Sequence, residues 1–250
     1  MRAMILAAGL GTRLRPLTND RPKALVTIGG RTLLELTLLR LCSFGVREVI
    51  VNTHHHAEMM DDYLKAHDNF GMRIAISREE ELLGTGGGLK KAAWFFLQEG
   101  AGSQEPFILH NVDVISTIDL ARMLHMHREQ DALTTLAVQE RETSRYLLFD
   151  ENSELCGRKA GRAGEPEIAR GARETHAFAF SGIHVISPRM LGMITEEGAF
   201  SIISTYLKLA SQGERIFGFR TDEYYWRDLG RPESVLQAEA DARKGLFPSS

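Results

Sequence analysis

The stretch Met1 to Leu6 reads as a short buried strand, and it empties directly into Ala7-Ala8-Gly9-Leu10-Gly11-Thr12-Arg13-Leu14-Arg15-Pro16, with Arg21-Pro22-Lys23 shortly after. Few folds accept that junction: the strand needs cover on both faces, whereas the loop needs solvent or a ligand. Glycine permits tight turns and close approach of a ligand, and successive backbone N–H groups can cradle the oxygens of a phosphate chain. Residues 1–31 carry six Lys/Arg (Arg2, Arg13, Arg15, Arg21, Lys23, Arg31) against one acid, Asp20. Such a loop favours a polyanion.

The first 136 residues continue in a strand-then-helix rhythm. After a strand at Ala3 to Ala7, Thr32 and Glu35 form a capping box for a helix over Leu33 to Ser43, and Gly45 stops it before the apolar strand Glu48 to Asn52. A helix from Ala57 to His67 and a strand from Arg73 to Ser77 follow. Gly84-Thr85-Gly86-Gly87-Gly88 reads as a glycine loop that opens a helix over Leu89 to Leu97. Phe107 to Asp113 is an apolar strand ending in polar groups, Thr117 caps a helix running to Arg128, and Leu133 to Val138 is a further strand. This alternation predicts an α/β fold with a mostly parallel sheet covered on both faces by helices.

The rhythm fails over 143–173. Tyr146 to Phe149 reads as a short strand, but Gly157 to Gly171 is rich in glycine and charge, which predicts a surface excursion or flap. Regular structure resumes with a strand over Thr175 to Ile186, a helix start at Ser187-Pro188, a helix over Phe200 to Ala210 and a strand over Arg215 to Phe219. A last helix runs from Pro232 to Gly245, with 247–250 as a fraying end.

A length of 250 residues suits one large domain, so 1–250 is expected to fold as a single unit. The formal charge of −3 gives no general reason to expect nucleic-acid or anionic-membrane binding, so only the site need be positive. Cys42 and Cys156 form no metal-type cluster, and no leader-like or 18-residue apolar run is present. Cytoplasmic residence is the expectation.

In open α/β sheets ligands sit beyond the carboxyl ends of strands, so the first loop, the Gly84 to Gly88 segment and Asp113 could share one rim. Hard divalent ions prefer carboxylate oxygens, which makes Asp113 and Asp228 better metal candidates than either cysteine. Each feature has an ordinary reading too. The first loop lacks the third glycine of a dinucleotide fingerprint and could be a plain connection; the glycine run could be a turn, and either aspartate a solvated turn residue. His54-His55-His56 points in different directions and suits a loop or helix start better than a metal. Glu79-Glu80-Glu81 is a charged patch, one member of which could accept hydrogen bonds from a nucleobase. Trp226 either packs the sheet edge beside Asp228 or covers a substrate.

Taken together, Leu6 to Thr18 with Arg21-Pro22-Lys23-Ala24-Leu25-Val26 closely resembles the signature of sugar-1-phosphate nucleotidyltransferases. The likeness continues through Leu83-Gly84-Thr85-Gly86-Gly87, Asn111-Val112-Asp113, Phe180-Ser181-Gly182-Ile183-His184 and Trp226-Arg227-Asp228-Leu229-Gly230. It implies a Rossmann-like, glycosyltransferase-A-like domain that joins a nucleoside triphosphate to a sugar 1-phosphate and releases pyrophosphate. It also implies roles. The backbone of Ala8, Gly9, Gly11 and Thr12 holds the triphosphate, Arg13 meets its outer phosphates, and Lys23 stabilises the transferred phosphate. Glu79, Gly84, Thr85 and Gly86 border the nucleoside, while Asp113 and Asp228 hold Mg²⁺. Self-association is common in the family.

Two departures concern the acceptor. Val112 stands where the family commonly has glycine, which suggests an altered sugar pocket, and the usual Glu-Lys-Pro element is absent, Glu165-Pro166 being its only relic. The compact length resembles short bacterial N-acetylmuramate 1-phosphate uridylyltransferases, with UTP as donor. A mannose- or heptose-1-phosphate guanylyltransferase using GTP is the second reading, and a catalytically idle, nucleotide-binding regulatory module is a third.

Overall fold

A strand that is apolar on both faces must be covered on both, and the central strands here alternate their side chains into two separate cores. The computed structural model describes residues 1–98 and 104–247. Its first half comprises β1 (Arg2–Leu6), β2 (Thr27–Ile28), β3 (Arg31–Thr32), α1 (Leu33–Ser43), β4 (Glu48–Thr53), α2 (Ala57–Ala66), β5 (Arg73–Arg78), α3 (Gly84–Ala92), α4 (Trp94–Leu97) and β6 (Phe107–Asn111). The second half comprises β7 (Val114–Ser116), α5 (Leu120–Glu129), β8 (Thr134–Gln139), β9 (Arg145–Phe149), β10 (Leu155–Ala160), β11 (Pro166–Ile168), β12 (His176–Ile186), α6 (Ile202–Ser211), β13 (Ile216–Arg220), β14 (Trp226–Asp228) and α7 (Pro232–Arg243).

Neighbours β6, β1, β4 and β5 are parallel and form the centre of the sheet, as the alternation predicts. Ala3, Ile5, Val49 and Val51 face a core shared with α1, α2 and α7, while Met4, Ile50 and Leu109 face a second core shared with α3, α4 and α6. Each fully buried leucine in such a core contributes about 1.5–3 kcal/mol. Thr32 caps α1 by accepting from the Glu35 N–H at 3.1 Å. The reciprocal half of the box is missing, because the Glu35 carboxylate accepts from Tyr63 Oη at 3.0 Å. His56, at φ +56°, is the residue that starts α2.

The eleven-residue β12 then turns the sheet antiparallel. Its second half pairs with β6 and its first half with β9, and the register slips between Phe180 and His184. Gly182 sits at that slip with φ +78°, and a Cβ there would lie 2.9 Å from Asn111 Nδ2, so only glycine fits. The bend carries the chain away from the parallel strands and opens a cleft beside them.

Several expectations are corrected. The segment 143–173 is not an irregular flap: β9, β10 and β11 form an antiparallel extension of the sheet. Backbone hydrogen bonds build it, so its polar side chains do not reveal it, and Gly157 lies so near the Glu167 carbonyl that a Cβ would approach within 2.4 Å. Asp119, not Thr117, caps α5 by accepting from Ala121 and Arg122 N–H, while Thr117 Oγ1 accepts from Tyr225 N–H. The helix expected after Ser187 is a 3₁₀ turn, Pro188–Met193. Phe247 does not fray but is buried and stacks on Tyr225; 248–250 lie outside the described residues. Among the described residues no helix is long and apolar enough to cross a membrane.

Three buried histidines give the fold an acid-sensitive stability. Burial pushes His110 and His127 down to about 4 and His184 to about 3, from the ordinary 6.5, so each folds neutral. Their stabilising effect is complete above pH 6.5 and is lost as pH falls, because the unfolded chain takes up protons that the folded one refuses. Each group steepens the decline by up to about 1.4 kcal/mol per pH unit. Denaturant midpoints should therefore drop between pH 6.5 and 5, above the usual carboxylate range. A flat profile over that window would show these rings to be protonated in the folded protein.

Candidate active site

The first loop leaves β1 and folds back on itself over Lys23. Gly11 adopts φ +65°; its carbonyl accepts from Thr18 Oγ1 at 2.8 Å, and a Cβ on it would meet Thr18 Cγ2 at 3.0 Å and Lys23 Cβ at 3.3 Å. Among the described residues the N–H groups of Gly9, Leu10, Gly11 and Thr12 meet no protein acceptor, so the loop presents unpaired donors at the carboxyl end of the strand. Ala8 is buried and Gly9 exposed.

Four charged groups converge on this rim. Lys23, buried in its 3₁₀ turn, donates to the Asp113 carboxylate. The short ladder β7–β14 pairs Asp228 with Val114, and Leu229 N–H donates to the Asp113 carbonyl at 2.8 Å, so the two aspartates occupy adjoining positions. Asp228 Oδ1 accepts from Gly230 N–H at 2.6 Å. A Cβ on Gly230 would lie 2.6 Å from that oxygen and 3.1 Å from Arg13 Nη2, which places the Arg13 guanidinium and the Asp228 carboxylate over the same glycine.

Arg13 and Asp228 line a cleft of about 1150 Å³ that runs between the parallel strands and the antiparallel extension, with Thr85 and Asn111 on one wall and Tyr146 and Arg158 on the other. Lys159 and Glu165, the latter expected as a relic of a sugar-binding element, also line it. The volume suits a nucleotide-sized ligand.

The glycine run is placed differently from its expected role. It lies inside α3, and its missing Cβ atoms admit the segment before α6: Gly86 N–H donates to the Phe200 carbonyl at 3.0 Å, and Cβ atoms on Gly84 and Gly86 would overlap Phe200. Only Thr85 of this run lines the cleft, and its Oγ1 accepts from Ile202 N–H at 3.0 Å. Glu79 is buried, with Oε1 accepting from Asn52 Nδ2 at 2.6 Å and Oε2 from Leu83 N–H at 3.0 Å. Asn52 Oδ1 in turn accepts from Ala7 N–H at 2.7 Å, so Glu79 braces the root of the first loop. Val112 is buried in the core behind the rim and lines no part of the cleft, because its side chain points inward from the turn between β6 and β7.

The sequence pattern of the nucleotidyl transferase family matches residues 2–245. The chain belongs to that family. This nucleotidyl transferase is 34% identical to the N-acetylmuramate alpha-1-phosphate uridylyltransferase of Caulobacter vibrioides over 247 residues, 95% of each chain. It is 29% identical to the mannose-1-phosphate guanylyltransferase of Mycobacterium tuberculosis across 99% of its own length but 66% of that protein's. In fold it is similar to a UDP-glucose pyrophosphorylase solved with UDP-glucose, with a TM-score of 0.76 at 17% identity, covering 97% of this chain and 98% of the other.

For the nucleotidyl transferase, these positions put two cations and two carboxylates around a row of free backbone donors. That arrangement can hold a polyphosphate and offset charge that develops on it. Among the described residues no group of three or more His, Cys, Asp or Glu is placed to hold a metal ion. Two carboxylates beside a row of free N–H donors would suit Mg²⁺, which takes one or two protein carboxylates and completes its shell with substrate phosphates and water. Sequence reasoning missed Arg141, Tyr146 and Arg158 on the cleft wall, and gave no role to Ser181, which it quoted only within a motif. The one signal available was the density of arginine between residues 141 and 158.

Proposed function

We propose that this nucleotidyl transferase is a sugar-1-phosphate uridylyltransferase that uses UTP and an acceptor of the N-acetylmuramate 1-phosphate class in the cytoplasm. The convergence of Arg13, Lys23, Asp113 and Asp228 on the loop Ala8–Thr12 carries the transferase reading. The choice of uridylyl over guanylyl is supported by the match in length as well as sequence with the Caulobacter protein.

In the proposed reaction an oxygen of the sugar phosphate forms a bond to the α-phosphorus of UTP as the bond to the bridging oxygen breaks, and pyrophosphate leaves with the electron pair. No protein nucleophile is needed. The free N–H groups of the first loop and Arg13 hold the departing phosphates, and the Lys23 ammonium faces the transferred phosphate, where both substrates' charges meet. Asp113 and Asp228 would hold Mg²⁺, which when bound neutralises phosphate charge and fixes the orientation of the triphosphate.

Pyrophosphate release measured over a panel of nucleoside triphosphates and sugar 1-phosphates, with product mass, tests the reading. A UDP-sugar is expected; a GDP-sugar would replace the uridylyl assignment, and nucleotide binding without turnover across the panel would favour the idle regulatory module. Asp113→Asn should raise the Mg²⁺ concentration needed for half-maximal rate on the order of tenfold or more. An unchanged Mg²⁺ response would remove Asp113 from the metal.

A further inference from the structure

Beyond the four convergent groups, one half-buried cation on the cleft wall has unspent bonding capacity. Arg141 follows β8, and its guanidinium lies over the Trp226 ring with the carbon 4.0 Å from the ring centroid. Trp226 is itself fixed, because its indole N–H donates to the Ser181 carbonyl at 2.7 Å. Arg141 Nη2 donates to the Phe180 carbonyl at 2.7 Å, while Nε is buried and meets no acceptor among the described residues. The side chain is therefore pinned by stacking and by one hydrogen bond from a guanidinium that carries five N–H donors.

A guanidinium partly withdrawn from water needs anions to offset the cost. Burial lowers the proton affinity of Arg141, and the charge that favours its ionised form most is Asp228. The Asp228 carboxylate also lies beside the Arg13 guanidinium, both reaching over Gly230. Arg141 thus lines the cleft as a fixed cation, and the carboxylate that acts on it most, Asp228, is the one beside Arg13 of the first loop. The wall beside it is the antiparallel extension, through Tyr146 and Arg158.

We propose that Arg141 binds the phosphate of the acceptor sugar 1-phosphate and aims its attacking oxygen. The proposal rests on the transferase reading above. A planar fork of donors matches a phosphate edge, which an ammonium at the same place would not. It also supplies a cation to the acceptor in a chain that lacks the Glu-Lys-Pro element.

Steady-state kinetics of Arg141→Ala and Arg141→Lys, with each substrate varied in turn, test this. For Arg141→Ala, kcat/KM for the sugar 1-phosphate should fall at least about 100-fold. The dissociation constant of UTP alone, from calorimetry, should stay within twofold. Arg141→Lys should recover less than a tenth of the loss, because charge returns without the fork. In a Trp94→Phe background, whose one remaining indole is Trp226, sugar 1-phosphate added alone should change the emission of the parent but not of Arg141→Ala. An unchanged acceptor kcat/KM, or equal losses for both substrates with a lowered melting temperature, would make Arg141 a brace for Trp226 and overturn the proposal. Absence of turnover in the unsubstituted enzyme across all pairs would instead defeat the transferase reading.

Discussion

Lys23→Met is expected to lower kcat by about 10²–10³-fold, the usual cost of removing one preorganised electrostatic donor from a reacting centre. The reason lies in where the ammonium is held. Lys23 is 8% exposed, its stem packs under Gly11, and its head group donates to Asp113, so it cannot swing away as a surface lysine does. A cation fixed before substrate arrives needs no reorganisation when charge builds on the transferred phosphate. Its effect therefore falls on the transition state more than on the ground state, and turnover should suffer more than the KM of either substrate. Methionine keeps the stem's volume against Gly11, and the Asp113 side chain is 19% exposed, so water can reach it and the melting temperature should shift by only a few degrees. Turnover near that of the parent would take Lys23 out of the chemistry and leave it as the counter-ion of Asp113.

The groups at the rim were legible because their local sequence is constrained by geometry. A strand such as Arg2–Leu6, buried on both faces, shows as an unbroken apolar run, and the loop after it has to carry glycine where φ turns positive at Gly11. Asp113 was legible for a related reason, since it follows the apolar strand Phe107–Asn111 at the carboxyl edge, whereas Asp228 stood out only through the motif Trp226-Arg227-Asp228-Leu229-Gly230. What was not legible depends on contacts distant in sequence. Glu79 belongs to a run of three acids that looks solvated, and only the fold brings Asn52 to it. The strands β10 and β11 pair through their backbones, with Arg158 and Glu167 in an ion pair across them, so their charged side chains read as plain surface. Arg141 gains its meaning from Trp226, 85 positions along the chain, once β12 has bent at Gly182.

The glycines of α3 pose the same problem in its sharpest form, and Gly87→Ala decides it by the sign of the change. If the run were a solvent-facing turn or a mobile ligand loop, alanine would be neutral or would stabilise by up to about 1 kcal/mol, through lower chain entropy and better helix propensity. The packing argues for the opposite. A Cβ on Gly87 would lie 2.4 Å from the Gly198 carbonyl oxygen and 2.9 Å from Leu83 Cβ. That carbonyl is backbone, and the segment bearing it is held to α3 by Phe200 N–H donating to Leu83 O and by Gly86 N–H donating to Phe200 O, each at 3.0 Å. Neither side can yield without breaking those bonds, so overpacking should outweigh the propensity gain and leave a net loss of about 1–3 kcal/mol. For a chain of this size that lowers the melting temperature by roughly 2–4 °C per kcal/mol. UTP affinity should weaken as well, because Thr85, two residues earlier on the same helix, is the residue of the run that reaches the cleft. A melting temperature equal to or above that of the parent would mean that α3 does not sit against the segment 198–202, and the glycines would return to being a loop kept for the ligand.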